Sequence, residues 1–108
     1  MTLEEMVSKY IRNTERVFGE IKFAPSSAHV EEGKIEGVVE TAKRYLEDAK
    51  YYQKEGKLEI GLASVAYCEG LLDALRLLGV VEFSWWKKQG RKRLSWLQAP
   101  LICFISAT

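Results

Sequence analysis

The sequence is poor in the residues on which catalytic and metal sites most often depend. Its 108 residues include one histidine, two cysteines and two prolines. Two cysteines, Cys68 and Cys103, are too few for a disulfide framework, so we expect reduced thiols and a cytoplasmic location. There is no glycine-rich phosphate loop, no spacing of metal ligands and no nucleophile–base pair. The sequence therefore predicts that the protein is not an enzyme and has neither a cofactor nor a metal site.

Long apolar runs are also missing. No uninterrupted apolar stretch approaches the ~20 residues that a membrane-spanning helix needs, and no basic segment followed by an apolar one suggests a signal peptide. An apolar fraction of 47% with 29% charged residues is typical of a soluble domain with one modest core. We therefore predict one small globular domain and no transmembrane segment.

Three stretches of the chain carry apolar residues at steps of three and four, which predicts three amphipathic helices. The first begins at a capping box formed by Thr2 and Glu5. The other two lie between Val38 and Leu78 and are joined at Gly56, a connection so short that they must be antiparallel neighbours. The predicted fold is all-α, a three-helix bundle with an up-down-up course.

Two glycines inside the third helix have a packing consequence. Gly61 and Gly70 each cost roughly 1 kcal/mol of helix stability relative to alanine. We expect the backbone of a neighbouring helix to approach both positions closely and so to compensate for this cost. Three helices bury one stripe each, and an apolar stripe left over would be covered by a second copy, which predicts a homodimer.

The hairpin also carries a family resemblance. Its characteristic strings are Ala49-Lys50-Tyr51-Tyr52 and the run from Tyr67 to Gly79, which contains Glu69-Gly70-Leu71-Leu72-Asp73-Ala74. With these residues the chain from about Leu3 to Val81 resembles a small archaeal family known only as domain of unknown function 357. The resemblance implies a short three-helix bundle and an archaeal source. It implies no chemistry, because no activity is assigned to the family.

The charges divide the chain near residue 84. All 15 acidic residues precede Trp85, whereas five of the 16 basic residues follow it, and so do all three tryptophans if Trp85 is included. Two shifts of composition at one position predict a boundary. We therefore predict a three-helix bundle domain over residues 1–83 and a basic, tryptophan-containing C-terminal extension over residues 84–108, whose order the sequence leaves open.

Basic and aromatic side chains alternate in this extension, as they do in surfaces that bind phosphates and stack on bases. The same mixture suits a membrane surface, and an extension without any specific role is the third interpretation. The candidate contact residues for nucleic acid or membrane are Trp85, Trp86, Lys87, Lys88, Arg91, Lys92 and Arg93.

One polar cluster is predicted on the third helix. Glu69 and Asp73 are four residues apart and share a face, and Arg76 follows Asp73 at i+3. Paired carboxylates could serve acid–base chemistry or bind a hard cation. We favour a structural role, in which Arg76 and another basic side chain neutralise the two acids.

The remaining candidates have ordinary interpretations. His29 lies next to a predicted loop without a catalytic partner, and Cys68 is expected to be a packed thiol. Tyr45, Tyr52 and Tyr67 could stack on a ligand or could simply line the core. The sequence thus favours a helical interaction module that self-associates or docks a partner protein. The alternative is a nucleic-acid-associated protein that uses the basic tail.

Overall fold

The computed structural model describes residues 2–24, 31–86 and 100–102. Within these ranges there are three helices and two short strands, in the order α1 (Leu3–Glu20), β1 (Lys22–Phe23), α2 (Glu32–Lys54), α3 (Leu58–Leu77) and β2 (Val81–Glu82). All three helices pack on one another. The predicted all-α three-helix bundle is therefore confirmed.

The first helix begins where the capping box predicts. The Thr2 backbone N–H donates to Glu5 Oε1 at 2.8 Å, and the Glu5 N–H donates to Thr2 Oγ1 at 3.1 Å, so two backbone donors at the start of the helix are satisfied. Thr14 is buried in the middle of α1, where its hydroxyl donates to the carbonyl of Tyr10 at 2.8 Å. A β-branched polar residue is thus accommodated in the core without an unpaired group.

Side-chain contacts give the relative directions of the helices. Along α2 and α3, Ala49 lies against Gly61, and the Tyr45 ring lies 4.5 Å from that of Tyr67, so the two helices are antiparallel. The turn between them contains Gly56 with a φ of +80°, a conformation that favours glycine.

α1 is antiparallel to α2. Gln53 near the end of α2 donates to Ser8 near the start of α1 at 2.6 Å, and Lys50 forms an ion pair with Glu15 further along α1. Together with the antiparallel hairpin, these contacts give the predicted up-down-up course.

The two glycines inside α3 behave differently from each other. A Cβ at Gly61 would lie 3.3 Å from the carbonyl oxygen of Ala49, so the close approach of α2 predicted there is confirmed. At Gly70 none of the described residues lies within 4 Å of such a Cβ. The same prediction is wrong for Gly70, because that residue does not face either of the other helices.

One end of the bundle is closed by a small sheet and its own core. β1 and β2 pair antiparallel with Phe23 opposite Val81, which joins the end of α1 to the end of α3. Beneath this sheet lies a buried cluster formed by Ile35, Val39, Leu75, Val80 and Val81. The apolar stretch after α3 thus folds back over the bundle end.

Residues beyond position 83 also contribute to the main core. Trp85 and Leu101 belong to the buried cluster between the helices, and Pro100 is fully buried. Arg16 on α1 holds the first of these segments, since its Nη2 donates to the carbonyls of Ser84 at 3.3 Å and Trp85 at 2.7 Å. Parts of the predicted C-terminal extension therefore pack directly on the bundle.

Candidate functional site

The polar residues that the sequence grouped on α3 form two separate arrangements. The first is centred on Asp73, whose Oδ1 accepts hydrogen bonds from Arg76 Nε at 3.0 Å and Nη2 at 2.8 Å. The same oxygen accepts a third from Trp85 Nε1 at 2.9 Å. Asp73 is therefore neutralised by Arg76 and also satisfies the indole N–H of a buried tryptophan.

The second arrangement is centred on Glu69, which is fully buried on the inner side of α3. Its Oε1 accepts the backbone N–H of Ile102 at 3.2 Å, and the N–H of Leu101 donates to the same carboxyl group. Its Oε2 has no hydrogen-bond partner among the described residues. Glu69 is thus covered by the C-terminal segment and does not share in the Asp73–Arg76 pair.

The pKa of Glu69 is raised to about 8, chiefly by burial. The N–H groups of Ile102 and Leu101 and the charge of Lys9 act to lower it, and the charge of Asp73 acts to raise it. Glu69 in turn affects the pKa values of two residues on α1. Burial lowers the pKa of Lys9, which the charge of Glu69 partly opposes, and burial followed by that charge raises the pKa of Tyr10.

A carboxyl group with a pKa near neutrality could transfer protons if a reactant reached it. Glu69 has 0% of its surface exposed, so no substrate could contact it in this conformation. The chemistry that the arrangement supports is proton binding coupled to stability. Within residues 2–24, 31–86 and 100–102, no group of three or more His, Cys, Asp and Glu side chains could hold a metal ion.

The thiol and the tyrosines named from the sequence have structural positions. Cys68 is buried, and burial followed by the charge of Glu69 raises the pKa of its thiol to about 12. Such a thiol is not a nucleophile at neutral pH. Tyr45 and Tyr67 pack on each other, whereas Tyr52 contacts the ring of Tyr51 on the same helix. The three rings therefore do not form one stacking surface.

Most of the predicted nucleic-acid or membrane contact lies outside the described residues. This applies to Lys87, Lys88, Arg91, Lys92 and Arg93, and also to His29. Trp85 is only 5% exposed, and a ring buried to this extent cannot stack on a base. Trp86 is half-buried and lines a shallow groove at the sheet end of the bundle. No helix in the described part of the chain has the length and apolar character needed to cross a membrane.

The most unusual surface is an exposed apolar stripe, and its position on the molecule was not predicted from the sequence. We call it the outer face of α3 and define it by Ile60, Ala63, Tyr67, Gly70, Ala74 and Leu77. These residues are spaced three and four apart, so they form one stripe along the helix, and no charged side chain interrupts it. Ile60 is 47% exposed, Tyr67 52% and Leu77 71%.

The signal for this face was present in the sequence. α3 is apolar around most of its circumference, a pattern typical of a helix that is buried on all sides. The bundle buries only one side of it, and Leu78 at its C-terminal cap is 68% exposed. A second apolar stripe therefore runs along α3 and is left exposed on the surface.

Comparison with known proteins gives a match to a protein family. A sequence model of the family described as "Protein of unknown function (DUF357)" matches residues 9–81, from within α1 to the first residue of β2. No curated protein and no solved structure matches the chain. The match includes the whole α2–α3 hairpin and the outer face of α3, and it ends before the segments that cover Glu69. Because more than half of its residues are matched, the chain belongs to this family of proteins of unknown function.

Proposed function

We propose that the protein is a non-enzymatic helical interaction module that self-associates through the outer face of α3. The observation that carries the proposal is the uncharged stripe from Ile60 to Leu77, in which every residue except the half-buried Gly70 is exposed. Exposed apolar side chains scattered singly are normal, but a stripe of them in helical register is the pattern of an interface. The functional role of the protein is then to bring copies of itself together.

The size of the stripe sets the strength that we expect. From Ile60 to Leu77 the stripe runs about 25 Å along the helix, at 1.5 Å per residue. One helix face of this length lies at the small end of specific interfaces, which suits reversible association. We therefore expect a dissociation constant on the order of micromolar to 100 μM.

The proposal includes a reducing, cytoplasmic location. It is supported by the low number of cysteines and by the free, buried thiol of Cys68. The nucleic-acid alternative depends on five basic side chains that lie outside the described residues. It remains a prediction from the sequence and is tested by salt-dependent binding to the full chain.

The test of self-association is the mass of the protein in solution as a function of concentration. Sedimentation equilibrium between about 0.5 and 500 μM, a range that brackets the expected constant, should show a monomer–dimer transition. The variant Tyr67→Lys places a charge in the middle of the outer face and should weaken association at least tenfold.

The matched control is Tyr51→Lys on α2. Tyr51 is exposed to a similar extent, 57% against 52% for Tyr67, but it does not belong to the outer face of α3. It should leave association unchanged. A chain that stays monomeric over the whole range, or a Tyr51→Lys variant as impaired as Tyr67→Lys, would contradict the proposal.

A further inference from the structure

We infer that two copies of the chain pack the outer faces of α3 against each other in antiparallel orientation, with Tyr67 of each copy seated over Gly70 of the other. The inference rests on the proposed self-association and specifies its register. It follows from the order of large and small residues along the stripe, together with the open space around Gly70.

The spacing of the stripe is the same in both directions. The intervals between its six residues are three, four, three, four and three, so the stripe can be superposed on its own reverse. A two-fold axis through the midpoint between positions 67 and 70 then gives three kinds of residue pair, each of which occurs twice. Such a self-complementary surface is what an isologous dimer requires.

The side chains in these layers complement one another in size. The reversal places Ile60 opposite Leu77, Ala63 opposite Ala74 and Tyr67 opposite Gly70, and the last pair lies nearest the axis. Among residues 2–24, 31–86 and 100–102 of its own chain, nothing lies within 4 Å of a Cβ added at Gly70. Because glycine has no side chain, this position is a hole into which a tyrosine ring of the other copy can insert.

A parallel arrangement would not have this complementarity. It would place the residues of the stripe opposite their own equivalents, so that two Tyr67 rings met in one layer and two Gly70 residues met in the next. The first layer would be overfilled and the second would be left empty. Close packing without voids therefore favours the antiparallel register.

In this register Gly70 has a packing role, which the described contacts within the single chain do not explain. A glycine within a helix weakens it, and at Gly61 the close approach of α2 explains the residue. Gly70 has no such neighbour among the residues that the structure describes. The tyrosine of a second copy is the neighbour that would make the absence of a side chain useful.

The test is disulfide formation between cysteines placed at the exposed positions Ala63 and Ala74, in a chain carrying Cys103→Ser. Cys68 can remain, since its buried thiol is inert. In the antiparallel register Ala63→Cys mixed with Ala74→Cys should give a cross-linked dimer. Either variant alone should give none, because its two cysteines lie about 16 Å apart along the helix, too far for a disulfide.

The outcomes separate the register from self-association itself. Cross-linking of Ala63→Cys alone would overturn the antiparallel register and leave a dimer with parallel helices. No cross-linking in any mixture, although the mass shows a dimer, would place the interface elsewhere on the chain. If sedimentation showed that the unmodified chain is monomeric, self-association itself would be contradicted, and the proposed function with it.

A second variant tests the contact between Tyr67 and Gly70. Gly70→Ala fills part of the hole and should raise the dissociation constant of the dimer about tenfold, while the dilute monomer becomes more resistant to unfolding. Gly37→Ala is the control, since Gly37 on α2 is exposed and also has open space around it. It should leave the dissociation constant unchanged. Equal association of the Gly70→Ala variant and the unmodified chain would overturn the contact.

Discussion

The inner and outer faces of α3 are built from similar residues and differ in what covers them. The inner face contains Val65, Cys68 and Leu72, all with 0% exposure, and it also contains the acid Glu69. The outer face contains Ile60, Tyr67 and Leu77 and is open to solvent. The helix therefore buries an acidic group that would be better hydrated and exposes apolar side chains that would be better buried.

The neighbouring helix α2 shows that this inversion is specific to α3. Its buried residues, Ile35, Val39, Ala42, Leu46 and Ala49, follow one stripe. Its charged residues lie on the opposite side, where Lys50 pairs with Glu47 and Lys43 with Glu40. α2 has the ordinary pattern of a helix at the surface of a monomer, and α3 has the pattern of a helix between two layers.

The largest expected difference between the two faces of α3 is in the free energy of unfolding of dilute protein. Leu72→Ala should lower it by about 2–5 kcal/mol, since a buried side chain is removed and a cavity remains. Leu77→Ala should change it by no more than about 0.5 kcal/mol, because that side chain is exposed in the monomer.

Urea unfolding at micromolar concentration measures both values. The same leucine-to-alanine change is made in both variants, so helix propensity cancels between them. Comparable losses at the two positions would mean that the outer face is already covered within the single chain.

The buried acid gives the next largest effect, a dependence of stability on pH. Since the pKa of Glu69 is about 8 in the folded chain and near 4.5 when the group is solvated, the folded state holds the proton more tightly. Stability is therefore greatest below pH 4.5 as far as this group is concerned, falls between pH 4.5 and 8 and is constant above. The slope is at most about 1.4 kcal/mol per pH unit.

Glu69→Gln removes this titration and keeps an oxygen that can accept the N–H of Ile102. The unmodified chain should lose stability between pH 5.5 and 8.5 relative to this variant, a difference that urea unfolding at both pH values measures. Subtracting the two chains cancels the other titrating groups. A difference that stays constant over this range would show that Glu69 titrates normally.

The smallest effect compares the two glycines of α3. Gly70→Ala should stabilise the monomer by about 0.5–1 kcal/mol, because alanine is the better helix former and the site is open. Gly61→Ala should destabilise it, since the new Cβ would press on the backbone oxygen of Ala49 at 3.3 Å. Thermal unfolding of the two variants decides the sign at each position, and stabilisation by both would contradict the close contact at Gly61.

Much of the fold could be predicted from local patterns. The capping box of Thr2 and Glu5 marks the start of α1, and the glycines at 56 and 79 adopt the positive φ angles that end α2 and α3. These features depend on neighbours in sequence, which is why they can be recognised without the rest of the chain. The sheet pairing of Phe23 with Val81 could not be predicted, because it joins segments far apart in the chain.

The residues of the candidate sites could be named from the sequence, but their arrangement in space could not be predicted. The grouping of Glu69 with Asp73 and Arg76 follows from helical spacing, but the three residues divide between two environments. Trp85 was grouped with the basic tail by its position in the sequence, whereas its N–H binds Asp73 and its ring is buried. Spacing along the chain shows which residues share one face of a helix, but it does not show which other residues pack against that face.

The amino-acid sequence by itself determined three amphipathic helices, their caps and their order in the bundle, since each of these depends on residues a few positions apart. Only the tertiary structure decided which of the two apolar stripes of α3 would be buried and which acid would lose contact with water. Both stripes are apolar enough to form a core, and the choice between them is made by the shapes of α1, α2 and the C-terminal segments that pack on one of them.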